Sequence, residues 1–315
     1  MNLFLIICSI FSGIVLILFI IAFAVFKVVF YNPPKTDQNN PKPDPFLGED
    51  FPQVIKMVKD GKEKLIKRPH ETVSVTTDDG FRLYGDFYIN PTPTKNTVLC
   101  VHGYNSSGYG DFGLIANSIL DNGYNCFLLN HRHHGQSEGE FIGFGVLDSK
   151  DLIKWIEKIN ERYPDGKIIL YGISMGAATV MQASNKKLTE NVVGIVEDCG
   201  FTTCWDEFKF VLKKAAHLPS FPLLNMLNVF TKHILGFDCR ESDSRKCIAE
   251  TKLPVLFIHG DADVFVPPFM LDECFNACNS RKEKYTYSGA GHAQSYYKHK
   301  EEYEENLFRF IDSCI

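Results

Sequence analysis

Residues 167–176, KIILYGISMG, constrain the fold of this chain more than any other stretch. An apolar run over 168–171 stops at the sequence GISMG, and a helix-forming segment follows at once. This order predicts a strand, a sharp turn and a helix, with Ser174 at the apex of the turn. Glycines two positions either side of Ser174 suit such a turn, because it brings flanking residues close to neighbouring backbone, where a Cβ would clash. Ser174 is therefore a candidate nucleophile at a helix N-terminus, where negative charge is stabilised.

Strand-like segments alternate with helical segments along the chain. The hydrophobic pattern predicts the strands ETVSVTT, FRLYGDFYI, TVLCV, YNCFLLN, KIILYG, NVVGIVED, PVLFIHG and EKYTYSG. The first two form a hairpin around Asp78-Asp79-Gly80. Helices are expected near residues 52–67, 111–122, 148–163, 268–279 and 296–312 and directly after Ser174. This alternation indicates an α/β fold with a mostly parallel central sheet and helices on both faces.

Three polar residues of complementary chemistry follow three of these strands. Ser174 follows KIILYG, Asp263 lies in HGDADVFVP, and His292 follows EKYTYSG. Ligands bind beyond the carboxyl ends of strands in such a sheet, and Ser, Asp, His is the chain order associated with this turn. A serine hydroxyl needs a base, and an imidazole base needs a carboxylate to fix its tautomer. Ser174, His292 and Asp263 are therefore the predicted nucleophile, base and acid.

An acyl-transfer site also needs backbone N–H groups that stabilise the oxyanion. Met175, directly after the serine, is one candidate donor, and Tyr104, in the loop after TVLCV, is the other. Asp198, at the end of NVVGIVED, remains a rival for the acid role. Asp261 is expected to structure its own loop instead.

Charge and cysteine spacing exclude several classes of function. The 315 residues carry a formal net charge of −5, and no basic stripe with interleaved aromatic residues is present, which argues against nucleic-acid binding. The ten cysteines include no C-x-x-C pair, so a cysteine metal site is not predicted, and reduced thiols are favoured. The HRHH cluster at 131–134 is interpreted as an ordered loop. No metal or cofactor is expected.

The N-terminal segment is almost entirely apolar. Residues 3–26 contain no charged side chain, and a helix of this length spans roughly 36 Å, enough for a hydrocarbon core of about 30 Å. A cleavable signal peptide is the alternative, but no basic residue precedes the run and it exceeds a signal core of about 7–15 residues. Residues 1–31 are predicted to be a single-pass anchor in the cell membrane, followed over 32–70 by a Pro-rich linker and a short helical stretch. Lys27, Lys35 and Lys42 favour a cytoplasmic domain, but the side of the membrane is left open.

These motifs resemble those of the α/β-hydrolase superfamily over residues 71–315, and more closely those of Gram-positive membrane-anchored serine hydrolases. The resemblance rests on VHGYNSSG, RHHGQSEG, YGISMGAATV, EDCGFTTCWDEF, HGDADVFVP and GAGH. It implies an eight-stranded sheet, a triad of Ser174, Asp263 and His292, oxyanion amides at Tyr104 and Met175, and by analogy a domain outside the cell. The segment NHRHHGQS at 130–137 departs from the frequent Asp-x-Arg-Gly-His-Gly-x-Ser, which puts the geometry of this loop in doubt.

The substrate is less constrained than the reaction. An insertion over residues 201–252 occupies the position of a lid in such hydrolases, and its large apolar residues either pack the lid or line an acyl pocket. The leading hypothesis is a membrane-tethered hydrolase of carboxylic esters, including lipid or other acyl esters, that forms an acyl-enzyme. A serine peptidase or thioesterase on the same fold and a non-catalytic membrane-bound interaction module are the alternatives. The oligomeric state is left open.

Overall fold

A computed structural model describes residues 3–33, 51–215 and 217–315 of the chain. Contacts divide the chain into two compact units. We term residues 51–202 and 242–315 the sheet unit, and residues 3–33 and 203–241 the anchor unit. Most of the predicted linker, residues 34–50, lies outside the described residues.

The sheet unit contains eight strands in the order β1-β2-β4-β3-β5-β6-β7-β8. β1 pairs antiparallel with β2, and β2 with β4, whereas all other neighbouring strands pair parallel. The mostly parallel α/β fold predicted from the sequence is confirmed, and each predicted strand corresponds to an observed one. The strands are β1 (His70–Thr76), β2 (Arg82–Tyr88), β3 (Thr97–Val101), β4 (Asn125–Leu129), β5 (Ile168–Ile173), β6 (Val192–Asp198), β7 (Val255–Gly260) and β8 (Lys282–Tyr287).

Helices of the sheet unit precede, connect and follow these strands. They are α2 (Phe51–Leu65), α3 (Gly108–Phe112), α4 (Ile115–Asp121), α5 (Asp148–Arg162), α6 (Met175–Ala183), α9 (Ser244–Glu250), α10 (Pro268–Ala277), α11 (Ser295–Lys298) and α12 (Lys300–Cys314). The single helix expected near 111–122 is instead two short ones. α3 ends at Gly113, whose N–H donates to the carbonyl of Tyr109.

The core lies on both faces of the sheet. Along β3, Val98 and Cys100 pack into the cluster that includes residues of α4 and α12, whereas Leu99 and Val101 pack into the cluster that includes residues of α5 and α6. Every residue of β3 and of β5 is buried. Continuous apolar strands of this kind are typical of parallel sheets that helices cover on both sides.

Eight of the ten cysteines are buried. All ten lie among the described residues, and none forms a disulfide there. Cys100 and Cys126 are buried on the adjacent strands β3 and β4, with their sulfurs 3.7 Å apart. Both residues therefore serve as small hydrophobes of the core.

The anchor unit combines the N-terminal helix with the insertion that follows β6 in the chain. It contains α1 (Leu3–Phe30), α7 (Cys204–Ala215), α8 (Leu223–Phe230) and a π-helical turn (Thr231–Leu235). α1 has 28 residues and is long and apolar enough to cross a membrane. The segment that the contacts separate from the sheet unit, Thr203–Glu241, lies within the insertion predicted over 201–252.

Replacement of a core residue of β5 should lower the stability of the sheet unit. Leu170 is fully buried on the central strand, so Leu170→Ala removes apolar contacts and leaves a cavity. We expect a loss of about 2–5 kcal/mol in the free energy of unfolding, measured by urea denaturation. Ile66→Ala is the control, because Ile66 is 47% exposed and should cost little. Equal losses for both variants would contradict the assignment of this core.

Candidate active site

Ser174 occupies a strained turn between β5 and α6. Its backbone has φ 56° and ψ −117°, a combination that residues with a side chain rarely adopt. The N–H of Ser174 donates to the carbonyl of Asp198 at the end of β6, over 2.8 Å. The turn predicted from the sequence is therefore present.

Two glycines make this turn sterically feasible. A Cβ on Gly172 would lie 2.2 Å from the carbonyl oxygen of Gly176. A Cβ on Gly176 would lie 1.8 Å from the carbonyl oxygen of Val101 at the end of β3. Both distances are far below van der Waals contact, and the neighbouring atoms are backbone, which cannot rotate away. Larger residues at either position are incompatible with this backbone.

His292 connects the serine to a carboxylate. Its Nε2 lies 2.8 Å from Ser174 Oγ, and its Nδ1 lies 2.7 Å from Asp263 Oδ2. All three side chains are buried. In the tautomer that satisfies both contacts, Nδ1–H donates to Asp263 and Nε2 accepts from the serine hydroxyl. The structure thus brings together the three residues that the sequence singles out. In the chain, His292 is 118 residues from Ser174 and 29 residues from Asp263.

The loop after β7 holds Asp263 as a carboxylate. Its Oδ1 accepts from the backbone N–H groups of Phe265 and Val266, each over 2.9 Å, and His259 Nε2 lies 3.2 Å from Oδ2. Burial raises the pKa of Asp263, but the electrostatic interaction with His292 and the hydrogen bonds from His259 and His292 outweigh it and bring the pKa to about 2. Because this pKa is depressed, the associated stability is present above the ordinary value near 3.8 and is lost as the pH falls towards 2.

The loop after β3 approaches the serine closely. A Cβ on Gly103 would lie 3.1 Å from the Cβ of Ser174, so Tyr104, the next residue, is near the reacting hydroxyl. Met175 begins α6, and the first N–H groups of a helix have no acceptor within it. These positions are compatible with the predicted roles of the Tyr104 and Met175 amides.

Asp111 positions this loop and was not singled out from the sequence. Its Oδ2 accepts from the N–H of Gly103, and its Oδ1 accepts from Ser106 Oγ, each over 2.6 Å. Burial raises its pKa in spite of these bonds. No sequence pattern marks Asp111, because the contact depends on how α3 folds back on the strand end.

The two other aspartates of these loops have different surroundings. Asp198 accepts from Tyr303 Oη over 2.7 Å, and burial raises its pKa to about 6 in spite of this bond. Asp261 is exposed and accepts from the N–H of Gly289 over 2.6 Å. Asp261 therefore ties the loop after β7 to the loop after β8, and the hydrogen bond to His292 is made by Asp263.

The HRHH segment is part of an ordered loop. His131 Nε2 contacts the carbonyl of His102 over 3.0 Å, and its Nδ1 lies 3.2 Å from Asp148. Arg132 makes two hydrogen bonds to Asp151, of 2.8 and 2.9 Å. Ser137 Oγ donates to the carbonyl of residue 130 over 2.9 Å. Although the sequence departs from the frequent motif, the loop is closed and hydrogen-bonded.

Cys199 lies beside the hydrogen-bonded set, a position that the sequence did not reveal. Its sulfur, the carboxylate of Asp263 and a ring nitrogen of His292 lie within 4.8 Å of one another. Burial raises the pKa of the Cys199 thiol well above its ordinary value, so the thiol is neutral. A neutral thiol is a weak metal ligand, and His292 already bonds to Asp263 and Ser174. The arrangement therefore fits proton transfer better than metal binding.

Comparison with known proteins agrees with this architecture. Residues 92–233 match the family model Hydrolase_4, described as serine aminopeptidase, S33. The chain is 29% identical over 236 residues to the uncharacterized protein YqkD of Bacillus subtilis, covering 74% of this chain and 76% of that protein. It is 25% identical over 218 residues to the uncharacterized membrane protein YNL320W of Saccharomyces cerevisiae, covering 69% and 70% of the two chains.

A solved structure shows the same fold. The Pyrococcus furiosus esterase Pf2001 superposes with a TM-score of 0.66 at 22% identity, covering 80% of this chain and 93% of that one. The sheet order, the turn at Ser174 and these similarities together define the fold as that of an α/β hydrolase.

The close approach at Gly176 generates a stability prediction. Gly176→Ala forces the Cβ into the carbonyl of Val101. We therefore expect the free energy of unfolding to fall by about 1–3 kcal/mol or more, measured by urea denaturation. Gly13→Ala is the matched control, since Gly13 also lies in a helix, and a Cβ added there meets no atom of the described residues within 4 Å outside its own stretch of helix. A Gly176→Ala protein as stable as the control would contradict the described turn.

Proposed function

We propose that this protein is a serine hydrolase that cleaves carboxylic esters through an acyl-enzyme. The observation that carries the proposal is the continuous hydrogen-bonded path from Ser174 Oγ through His292 to Asp263. Each component has the chemistry that nucleophilic catalysis requires: a hydroxyl, a base within 2.8 Å of it, and a carboxylate within 2.7 Å of the base. The fold of Pf2001, which is an esterase, is in agreement with it.

In the acylation step, Ser174 Oγ attacks the ester carbonyl carbon while His292 Nε2 takes the hydroxyl proton. The resulting imidazolium is stabilised by Asp263, whose pKa of about 2 keeps it ionised at neutral pH. The negative oxygen of the tetrahedral intermediate accepts hydrogen bonds from the Tyr104 and Met175 amides. His292 then donates its proton to the leaving alcohol as the bond from the carbonyl carbon to the leaving oxygen breaks.

Deacylation repeats these steps with water. His292 takes a proton from water, the hydroxide adds to the acyl carbon, and the intermediate collapses with return of a proton to Ser174 Oγ. The products are a carboxylic acid and the free enzyme. The strained φ of Ser174 and the burial of the three side chains support a preorganised site in which little reorganisation is needed.

The domain is further proposed to be tethered to the membrane by α1. The helix is 28 residues long with no acidic residue in its first turn, and Lys27 lies in its last turn. A related yeast protein is named a membrane protein. Tethering would concentrate the enzyme near esters that partition into lipid.

A peptidase is the second candidate, because the matching family model is described as a serine aminopeptidase. The same nucleophile and base can attack an amide, but the leaving amine then has to be protonated before it departs. Turnover of short acyl nitrophenyl esters together with aminoacyl nitroanilides separates the two candidates. Ester turnover without release of nitroaniline supports the esterase, and the opposite pattern supports the peptidase.

Removal of the nucleophile should abolish ester turnover. For Ser174→Ala we expect a fall in kcat on the order of 10⁶-fold, as in serine proteases that lose this residue, measured with nitrophenyl butyrate. Ser313→Ala is the control, because Ser313 is an exposed residue near the end of α12. Retention of activity in a folded Ser174→Ala protein would refute the nucleophile assignment.

A pair of aspartate substitutions tests the acid role. Asp263→Asn leaves no carboxylate for His292 Nδ1–H, so kcat should fall by about 10⁴-fold. Asp198→Asn should keep kcat near the parent value. Because burial raises the pKa of the Asp198 carboxyl, its ionised form destabilises the folded state, and Asp198→Asn should remove this destabilisation. That destabilisation grows as the pH rises from about 4 to 6, because the unfolded state releases the proton first. The reverse pattern of activities would assign the acid role to Asp198.

A further inference from the structure

One face of the anchor helix is covered, and only in its second half. Between Leu3 and Ile17 every side chain of α1 is exposed. From Leu18 onwards a stripe is buried or half-buried, and its members recur at the spacing of one helical face. The stripe consists of Leu18, Ala22, Val25, Phe26, Val29 and Phe30. The second half of α1 is therefore packed within a folded unit, and the first half is not.

Residues of the insertion cover this face of α1. Phe230 of α8 packs against three anchor rings, with centroid distances of 4.7 Å to Phe19, 5.2 Å to Phe23 and 5.5 Å to Phe26. One turn further along α1, Phe30 lies 5.8 Å from Phe208 and 6.2 Å from Phe237. Aromatic contacts at these distances contribute beyond the area that they bury. The anchor and residues Thr203–Glu241 thus share one small apolar core.

The length of the helix fixes how deep this core lies if α1 crosses a bilayer. The exposed half, residues 3–17, is about 22 Å long at about 1.5 Å per residue. A hydrocarbon core is about 30 Å thick, so about 8 Å more must come from the packed half. Phe19 lies within that distance. It also precedes Lys27, the first charged side chain of the chain, by roughly 12 Å. Phe230, in contact with Phe19, must then lie below the level of the headgroups.

The composition of the insertion is compatible with lipid contact. Residues 218–231 contain no charged side chain. Several of their apolar side chains are exposed, including Phe221 at 73%, Leu218 at 48% and Val229 at 45%. Lys213 and Lys214 precede this stretch and Lys232 follows it. An apolar segment with lysines at its margins is typical of elements that lie in the membrane interface, where lysines meet anionic headgroups.

We propose that α8 and the flanking residues 218–231 are embedded in one leaflet of the bilayer, packed against the anchor helix. The inference rests on the proposed tether, because the depth of Phe230 follows from the insertion of α1. The insertion is then a second membrane contact of the protein, and α1 serves as its docking partner within the lipid. The experiment below distinguishes lipid on the exposed apolar face from two other possibilities, water and a second copy of the chain.

Tryptophan fluorescence in vesicles tests the depth of α8. Val229→Trp places a reporter on α8 at an exposed position next to Phe230, and Ile14→Trp, at a position 52% exposed on α1, reports the insertion of the anchor itself. The full chain is reconstituted in phosphatidylcholine–phosphatidylglycerol vesicles with brominated acyl chains, which quench tryptophan only within the hydrocarbon. Emission of the unsubstituted protein, from Trp155 and Trp205, is subtracted. Aqueous iodide is the complementary quencher.

We expect both reporters to lose most of their added emission to brominated lipid and to resist iodide. Quenching of Ile14→Trp by lipid, with Val229→Trp quenched by iodide instead, would overturn the embedding of α8 and leave the tether intact. If Val229→Trp is protected from both quenchers, a second copy of the chain covers it, and the proposal also fails. If neither reporter is quenched by lipid, the tether fails and the inference fails with it. Ester hydrolysis is read separately on the same samples.

Discussion

The structure of the site depends on two close approaches of backbone to backbone. The carbonyl of Val101 at the end of β3 occupies the space that a Cβ of Gly176 would fill, and the carbonyl of Gly176 does the same for Gly172. With both glycines present, α6 can begin directly above the sheet, and Ser174 is held at positive φ with its N–H bonded to the next strand. The position of the hydroxyl is therefore set by the packing of the sheet and not by the side chain itself.

The remaining groups converge on this serine because parallel strands end at the same edge of the sheet. Asp263 follows β7 and His292 follows β8, strands that pair with each other in parallel. Each loop is then fixed locally: Phe265 and Val266 hold the carboxylate, Asp261 joins the two loops, and Asp111 holds the loop after β3. The charged carboxylate at Asp263 and the raised pKa at Asp198 show how environment distinguishes two neighbouring aspartates.

Much of this arrangement could be predicted from the sequence. The eight strands follow from hydrophobic periodicity, and the Gly172–Gly176 turn and the positions of Asp263 and His292 after strands follow from local patterns. Three features could not be predicted. Asp111 and Cys199 approach the site only through the folding of loops, which leaves no fixed spacing in the chain. The packing of Phe230 on the anchor helix joins residues about two hundred positions apart, and apolar side chains alone do not specify which partner they meet.

The central claim is that Ser174 is a nucleophile activated through His292, and covalent trapping tests it most directly. The folded protein is incubated with a fluorophosphonate, digested, and mapped by mass spectrometry. The account predicts a single phosphonyl adduct on the peptide that carries Ser174, and loss of that adduct in His292→Ala. No adduct on a folded protein, or an adduct at another residue that persists in Ser174→Ala, would contradict it.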